Sequence, residues 1–309
     1  LVTLAVGRYI FKGYSATGVL LSGGLLLLAI TALMGKAVLP ASVASTGHVA
    51  TDVFEYVRFL LVDRGGGLGM LIMVLCGFAG YMSHIGANTI LVKLASKPLG
   101  IIKSPYILLV AAYLVACAMS LAVSSATGLG VLLMATLFPL MVNMGISRGA
   151  AAAVCASPAA IILSPTSGDV VMAAQAANME LIEFAFKLTL PISLTAIAAM
   201  AVTHFFWQRY LDRKSGEHNE AVAPSDLITD APGFYAILPF TPIIGVLLFD
   251  GKVGPKLDIV TIIVICLVLA ALLELMRKRN GRELLDGLQV CWRSMADAFA
   301  GVVMLLVGA

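Results

Sequence analysis

The stretch TGVLLSGGLLLLAITALM, residues 17–34, carries no charged side chain, and LDIVTIIVICLVLAALLELM, 257–276, is nearly as apolar. Runs of about 20 apolar residues are what an α-helix needs to cross the ~30 Å hydrocarbon layer of a bilayer. They cannot be covered by the chain's own polar groups. Only 12% of the residues are charged and 60% are hydrophobic, whereas soluble domains carry about 25% charged residues. Inside hydrocarbon every backbone N–H and C=O must find a partner within the protein, which leaves helices or closed barrels. The short alternating strands of a barrel are not visible. The fold class is therefore an all-α polytopic membrane protein.

Apolar segments fall near 1–12, 17–34, 68–91, 105–123, 129–145, 149–178, 184–207, 234–251, 257–276 and 297–309. Two others, 51–64 and 282–295, mix charges with apolar residues at helical spacing. They suit helices lying in the membrane interface, or packed over the mouth of the bundle. The longest polar stretch, 209–232, reads as a linker. It divides a first membrane repeat, 1–208, from the start of a second, 233–309. After the linker the order of elements begins again: two spans, an amphipathic helix, then a glycine-containing span. The strings GMLIMVLCGF (69–78) and GVVMLLVGA (301–309) share a Met and a Gly in register.

Basic residues sit at Arg8/Lys12, Lys93/Lys97/Lys103, Arg148, Arg209/Arg213/Lys214 and Arg277/Lys278/Arg279/Arg282. Placing these clusters on the cytoplasmic side, as the positive-inside rule asks, sends 17–34 and 234–251 outward and 68–91 and 257–276 inward. The amphipathic helices then lie on opposite sides, and the two repeats are inverted. The expectation is an inverted-repeat secondary transporter with the linker in the cytoplasm. The sequence starts at Leu1 and stops at Ala309 inside an apolar run, so both ends read as cut and the second repeat as incomplete. No cleavable signal peptide is recognisable.

Two interruptions carry the chemistry. Between Lys103 and Arg148 there is no charge, and the island Ser124-Ser125-Ala126-Thr127-Gly128-Leu129-Gly130 splits the run. Either 105–145 is a pair of full crossings with a short loop, or it is a re-entrant hairpin with this island at its tip. Polar backbone at membrane depth is tolerated only where protein or a wet cavity surrounds it, which favours the hairpin. The second interruption is in ASPAAIILSPTSGDVVMAAQAANM, 156–179. A helix entering this region should stop before Pro165, because proline removes a donor and disfavours helix at the residue before it. Ser164, Thr166, Ser167, Gly168 and Asp169 then occupy the break of a broken helix, 149–178. Its two ends would present carbonyls and amides, suited to a cation and an anion respectively.

Asp169 is the only acidic residue between Asp63 and Glu180. Two roles stay open for it: N-cap of the following helix or ion-coupling ligand. His84 and Asn88 are four apart in 68–91 and would share a helix face, as partners within the bundle or secondary site residues. His204, beside Phe205, Phe206 and Trp207, reads as an interface anchor.

No basic stripe with interleaved aromatics points to nucleic acid. The five cysteines are scattered through apolar runs without a CxxC pair and read as core thiols. Neither a metal site nor a cofactor is expected. A serine protease would need a His for Ser167 and an aspartyl protease a second acid for Asp169, so the chain is not read as an enzyme. A passive channel should show charged rings or a filter sequence, and neither is evident.

The strings GYSATGVL, HIGAN, VSSATGLGVLLMATLFP, GISRGAAAA, ASPAAIILSPTSGDVV, HFFWQRYLD and FYAILPFTPIIGVLLFDGK together resemble the DcuC-type anaerobic C4-dicarboxylate carriers, across essentially the whole chain. The resemblance implies a bacterial inner-membrane carrier of succinate, fumarate or malate, used chiefly for succinate efflux in fermentation. It also implies membership of the wider ion transporter superfamily. There two inverted repeats carry the site at hairpin tips, and a hairpin-bearing transport domain moves against a scaffold as an elevator. By it, Ser124, Ser125, Thr127 and Gly128 form the first hairpin tip, and Ser164, Thr166, Ser167 and Asp169 the first broken helix. Family members continue past the equivalent of Ala309 into a second hairpin and broken helix, so half of the site is expected there. The expected partners are a small dicarboxylate, membrane lipid and a second copy in a homodimer. The coupling ion is left open between proton and sodium. A superfamily relative carrying basic amino acids or another carboxylate is the alternative.

Overall fold

A computed structural model describes residues 2–123, 126–215, 229–249, 251, 254–304 and 307; the side chains of 126–128, 212, 215 and 302 are not described. All regular structure among the described residues is helical. In chain order the helices are α1 (Val2–Phe11), α2 (Ala16–Leu33), α3 (Val49–Arg64), α4 (Met70–His84), α5 (Ala87–Ser96), α6 (Pro105–Ser120), α7 (Ala126–Asn143) and α8 (Arg148–Ala156). They continue as α9 (Gly168–Ala176), α10 (Leu181–Phe184), α11 (Leu190–Thr203), α12 (Arg209–Ser215), α13 (Thr241–Leu248), α14 (Ile259–Lys278) and α15 (Gly281–Ala298). Wide π-type turns join some of them without a break. Among the described residues, four helical runs are long and apolar enough to cross a membrane: Ala16–Leu33, Val49–His84 (kinked at Gly67), Leu181–Leu211 and Ile259–Lys278.

The chain divides into two compact units. The first comprises Leu1–Gly77 and Trp292–Ala309. Here α1 lies against α2 at Gly23, where a Cβ would stand 2.5 Å from Val6 Cγ2. Gly23 is the one buried residue of α2, and Leu26, Leu27, Ile30 and Leu33 are exposed. Water would oppose so large an apolar face; hydrocarbon does not.

The helix expected over 51–64 exists as α3, Val49–Arg64. It meets α4 across a kink in the turn Gly65–Gly69. Gly67, at φ −88° and ψ −109°, bends the run there, a conformation eased by the missing side chain. The second amphipathic helix, α15, likewise leads into a wide turn, Phe299–Val303. The two turns touch. A Cβ on Gly69 would lie 2.9 Å from Val303 Cγ1, and Val303 is fully buried.

The second unit is Phe78–Cys291. Its core lies where α5, α6, α7 and α8 pack together, with Leu108, Leu109, Tyr113, Leu133, Leu137 and Met141 wholly buried. The span expected over 68–91 does not run through. It stops at His84, and Gly86, at φ +77°, precedes a new helix. A Cβ at Gly86 would also fall 2.3 Å from Thr229 Oγ1, so the position needs glycine for both conformation and space. The segment expected to be helical over 234–251 opens as a 3₁₀ turn, Gly233–Phe240, before α13 begins. Pro239 and Pro242 supply no N–H, which removes two of the bonds an uninterrupted α-helix would use. Next, α13 meets α14 at Gly245, whose Cβ would stand 2.4 Å from Ile262 Cγ2.

Candidate functional site

Helix stops well before Pro165: α8 and α9 are separated by a break longer than proline at 165 alone would make it. Helix α8 starts from Ser147, whose hydroxyl accepts from Ala150 N at 3.2 Å. It ends at Ala156, eight residues before Ser164. Pro158 in the following 3₁₀ turn, Ser157–Ala160, cannot donate back into α8. Ser157 Oγ instead donates to Ala153 O at 2.5 Å. Residues 161–167 are not helical, and α9 begins at Gly168.

Four hydroxyls occupy this break or reach it. Those of Ser164 and Thr166 are 2.9 Å apart, and both residues are buried, at 4% and 2% exposure. Ser193, from α11, donates to Ile162 O at 2.7 Å, satisfying a carbonyl that lost its helical partner. Ser167 caps α9, accepting from Val170 N at 3.4 Å. The cap is therefore Ser167 rather than Asp169. Asp169 lies in the first turn of α9 and is exposed, where a carboxylate is favoured by the helix dipole. There is no Lys or Arg between Arg148 and Lys187. An anion received here would meet hydroxyls and amides, a type of contact that can be made and released without separating an ion pair.

Of the other expected site residues, Ser124 and Ser125 lie outside the described residues. Thr127 and Gly128 fall in the first turn of α7, their side chains undescribed. The helices flanking this tip, α6 and α7, pack against each other. His84 and Asn88 do not share a helix face, because the chain turns at Gly86 between them. Asn88 is buried, and its amide donates to Ser83 Oγ at 2.8 Å. His84 lines a pocket of 370 Å³ with Tyr81, Glu274, Lys278 and Glu283. His204 is no interface anchor. It is 4% exposed, with Nε2 2.9 Å from Ser157 Oγ.

A second pocket, of 420 Å³, is lined by Val171, Ala174 and Gln175 of α9, by 179–182, and by Val246, Phe249, 256–259 and Ile262. At its rim Lys256 Nζ is 2.7 Å from Glu180 Oε1. That hydrogen bond holds the Lys256 ammonium above its ordinary range. Ser164, Thr166, Ser167 and Asp169 do not line this pocket.

Glu274 is a buried acid that the sequence reading passed over, at 6% exposure. Tyr235 OH donates to it at 2.6 Å and Arg277 at 2.7 and 3.0 Å, with Lys278 3.4 Å away. Arg277 also reaches Asp230 at 3.2 Å and holds that carboxyl below the usual carboxylate range. The signal was an acid inside the apolar run ALLELM. It was masked by the basic cluster directly after it, which reads as an ordinary span end.

Long apolar helices, with a buried, hydroxyl-rich segment between α8 and α9, are those of a multi-pass membrane protein and are consistent with a carrier. The comparisons narrow this. The family model for the C4-dicarboxylate anaerobic carrier, DcuC, matches residues 1–309. The chain is 69% identical over 308 residues to the anaerobic C4-dicarboxylate transporter DcuC of Escherichia coli strain K12, covering 100% of this chain and 67% of that protein. The Shigella flexneri protein of the same name gives the same figures. A Vibrio cholerae protein named "Probable anaerobic C4-dicarboxylate transporter DcuC" is 59% identical over 311 residues, covering 100% of this chain and 68% of its own length. No solved structure matches. The chain belongs to the DcuC family of anaerobic C4-dicarboxylate carriers, a family of transporters and not of enzymes.

Proposed function

We propose that the protein carries C4-dicarboxylates such as succinate, fumarate and malate across the bacterial inner membrane, chiefly as succinate efflux or exchange in anaerobic metabolism. The observation that carries this is the family match over 1–309, joined to a break whose buried Ser164 and Thr166 are paired. The substrate is received between the tip at Ser124, Ser125, Thr127 and Gly128 and the break at Ser164, Thr166, Ser167, Gly168 and Asp169. No ion pair has to be broken to release it. Helices α6 and α7 form a re-entrant hairpin, 105–145, and move with the broken helix as an elevator-type transport domain. The repeats are 1–208 and, inverted, 233–309; the shared pattern of an amphipathic helix leading into a wide turn supports this. The linker 209–232 is cytoplasmic, and the carrier is a homodimer.

The test uses the complete protein in liposomes loaded with unlabelled succinate, following entry of labelled succinate. Exchange blocked by excess external fumarate and untouched by arginine is the expected result. No exchange from folded protein, or exchange blocked by arginine, overturns the dicarboxylate reading and favours a relative with another cargo.

A further inference from the structure

We propose that His204 is the position at which a proton is coupled to movement of the broken helix, an inference that rests on the carrier reading above. The residue sits in the long apolar run Leu181–Leu211, in the turn that follows α11. Ser157 Oγ donates its proton to Ala153 O at 2.5 Å, so at 2.9 Å it accepts from His204. His204 therefore carries its proton on Nε2 when neutral. That leaves a lone pair on Nδ1, which is buried and has no hydrogen-bond partner. The Tyr113 ring lies 5.1 Å away, centroid to centroid, and its hydroxyl is buried, with the weakly accepting Cys117 thiol as its neighbour. An unsatisfied buried ring nitrogen is uncommon in a packed interior, and a structural role for His204 accounts for only one of its nitrogens.

The placement connects this imidazole to the break. Ser157 is the first residue beyond α8, where the helix gives way. The same continuous run also holds the other side of the break, through Ser193 and Ile162 O at 2.7 Å. The ionisable groups on the elements packed around His204 are Tyr106, Tyr113 and Cys117 on α6 and Arg148 and Cys155 on α8; on α12, directly after its own turn, they are Arg209, Tyr210, Asp212, Arg213 and Lys214. Neither α6, α8 nor α11 bears a carboxylate. A proton taken from bulk water onto Nδ1 gives an imidazolium with N–H on both nitrogens and no anion facing it from those helices. The charged form then gains only if an acceptor arrives, and the Tyr113 oxygen, whose ring lies 5.1 Å away, is the one at hand. Any shift of Ser157 and the 3₁₀ turn that allows this is favoured by the proton, and by reciprocity that shift raises proton affinity. His204 acts through the break and is a positioning residue.

The complete protein in liposomes separates coupling from folding and binding. Exchange is measured with equal pH on both sides, and net succinate movement with an imposed pH gradient. The variant His204→Gln keeps a donor for Ser157 but cannot be protonated. It should exchange within about threefold of wild type and lose about tenfold or more of the gradient-driven movement. Tyr113→Phe should exchange normally and shift the pH dependence of net movement. Two results overturn the inference and leave the carrier reading standing: wild-type exchange that no pH gradient accelerates, or a His204→Gln variant driven by the gradient as well as wild type. Absence of wild-type exchange overturns both. A readout independent of transport is the nitrogen NMR spectrum of histidine-labelled protein. The signal missing in His204→Gln must titrate somewhere between about pH 5 and 8, and a signal fixed over that range also defeats the proposal.

Discussion

Ser164 and Thr166 satisfy each other at 2.9 Å in a buried site, so losing one hydroxyl strands the other. Thr166→Val should cost about 1–3 kcal/mol, the usual desolvation penalty of an unpaired buried group, and lower the melting temperature in detergent. Adding Ser164→Ala to it should cost less than the two single effects summed. Additive losses would show that the pair is not coupled. At Asp230 the sign of the pH effect follows from Arg277, which lowers the carboxyl's folded pKa. That contribution is complete above the unfolded carboxylate pKa of about 3.9 and disappears as pH falls through the folded value. Asp230 is exposed, so the effect stays under about 1 kcal/mol. Melting curves of Asp230→Asn and wild type should differ slightly at neutral pH and converge in acid. The hydroxyls of the break were legible because polar residues between apolar runs stand out. His204 was misread because its aromatic neighbours have an interfacial composition, while its burial depends on Tyr113 and Ser157, 91 and 47 positions away.

Helices were legible wherever apolar length alone decides, as in α2, α6 and α14. Their joints were not. A single glycine ends the span at Gly86 because its backbone turns to φ +77°, and three glycines at 65–67 let another pair meet across a kink. Sequence periodicity treats both as glycine in an apolar stretch. The contact of α13 with α14 tests how tightly such helices are set. Gly245→Ala places a methyl 2.4 Å from Ile262 Cγ2 and should destabilise by about 1–3 kcal/mol as overpacking. Ile262→Ala added to it removes the clashing atom and should recover part of the loss, read as the melting temperature in detergent. No recovery would mean that the strain is taken up elsewhere.

For the whole molecule, the distribution of lysine and arginine makes an orientation prediction that the helices alone do not. With basic clusters inside, a cysteine placed at Gly47, ahead of α3, should react with an impermeant thiol reagent added outside intact cells. One at Asn280, between α14 and α15, should react only after the membrane is opened. The native cysteines Cys117, Cys155, Cys266 and Cys291 are buried and Cys76 is partly so, so background labelling should be low. Both positions reacting from the same side would remove the inverted arrangement.

The contact between Gly69 and Val303 has a consequence for how such a chain can vary over time. Each belongs to a glycine-containing elbow that follows an amphipathic helix, and the two elbows share one small volume. Neither can change size independently of the other. A Cβ at 69 would also stand 2.6 Å from Arg64 O, which no exchange at 303 relieves, so among DcuC sequences glycine should persist at 69 while 303 keeps a residue no larger than valine. The two elbows are bound into a single inheritance by the space between them.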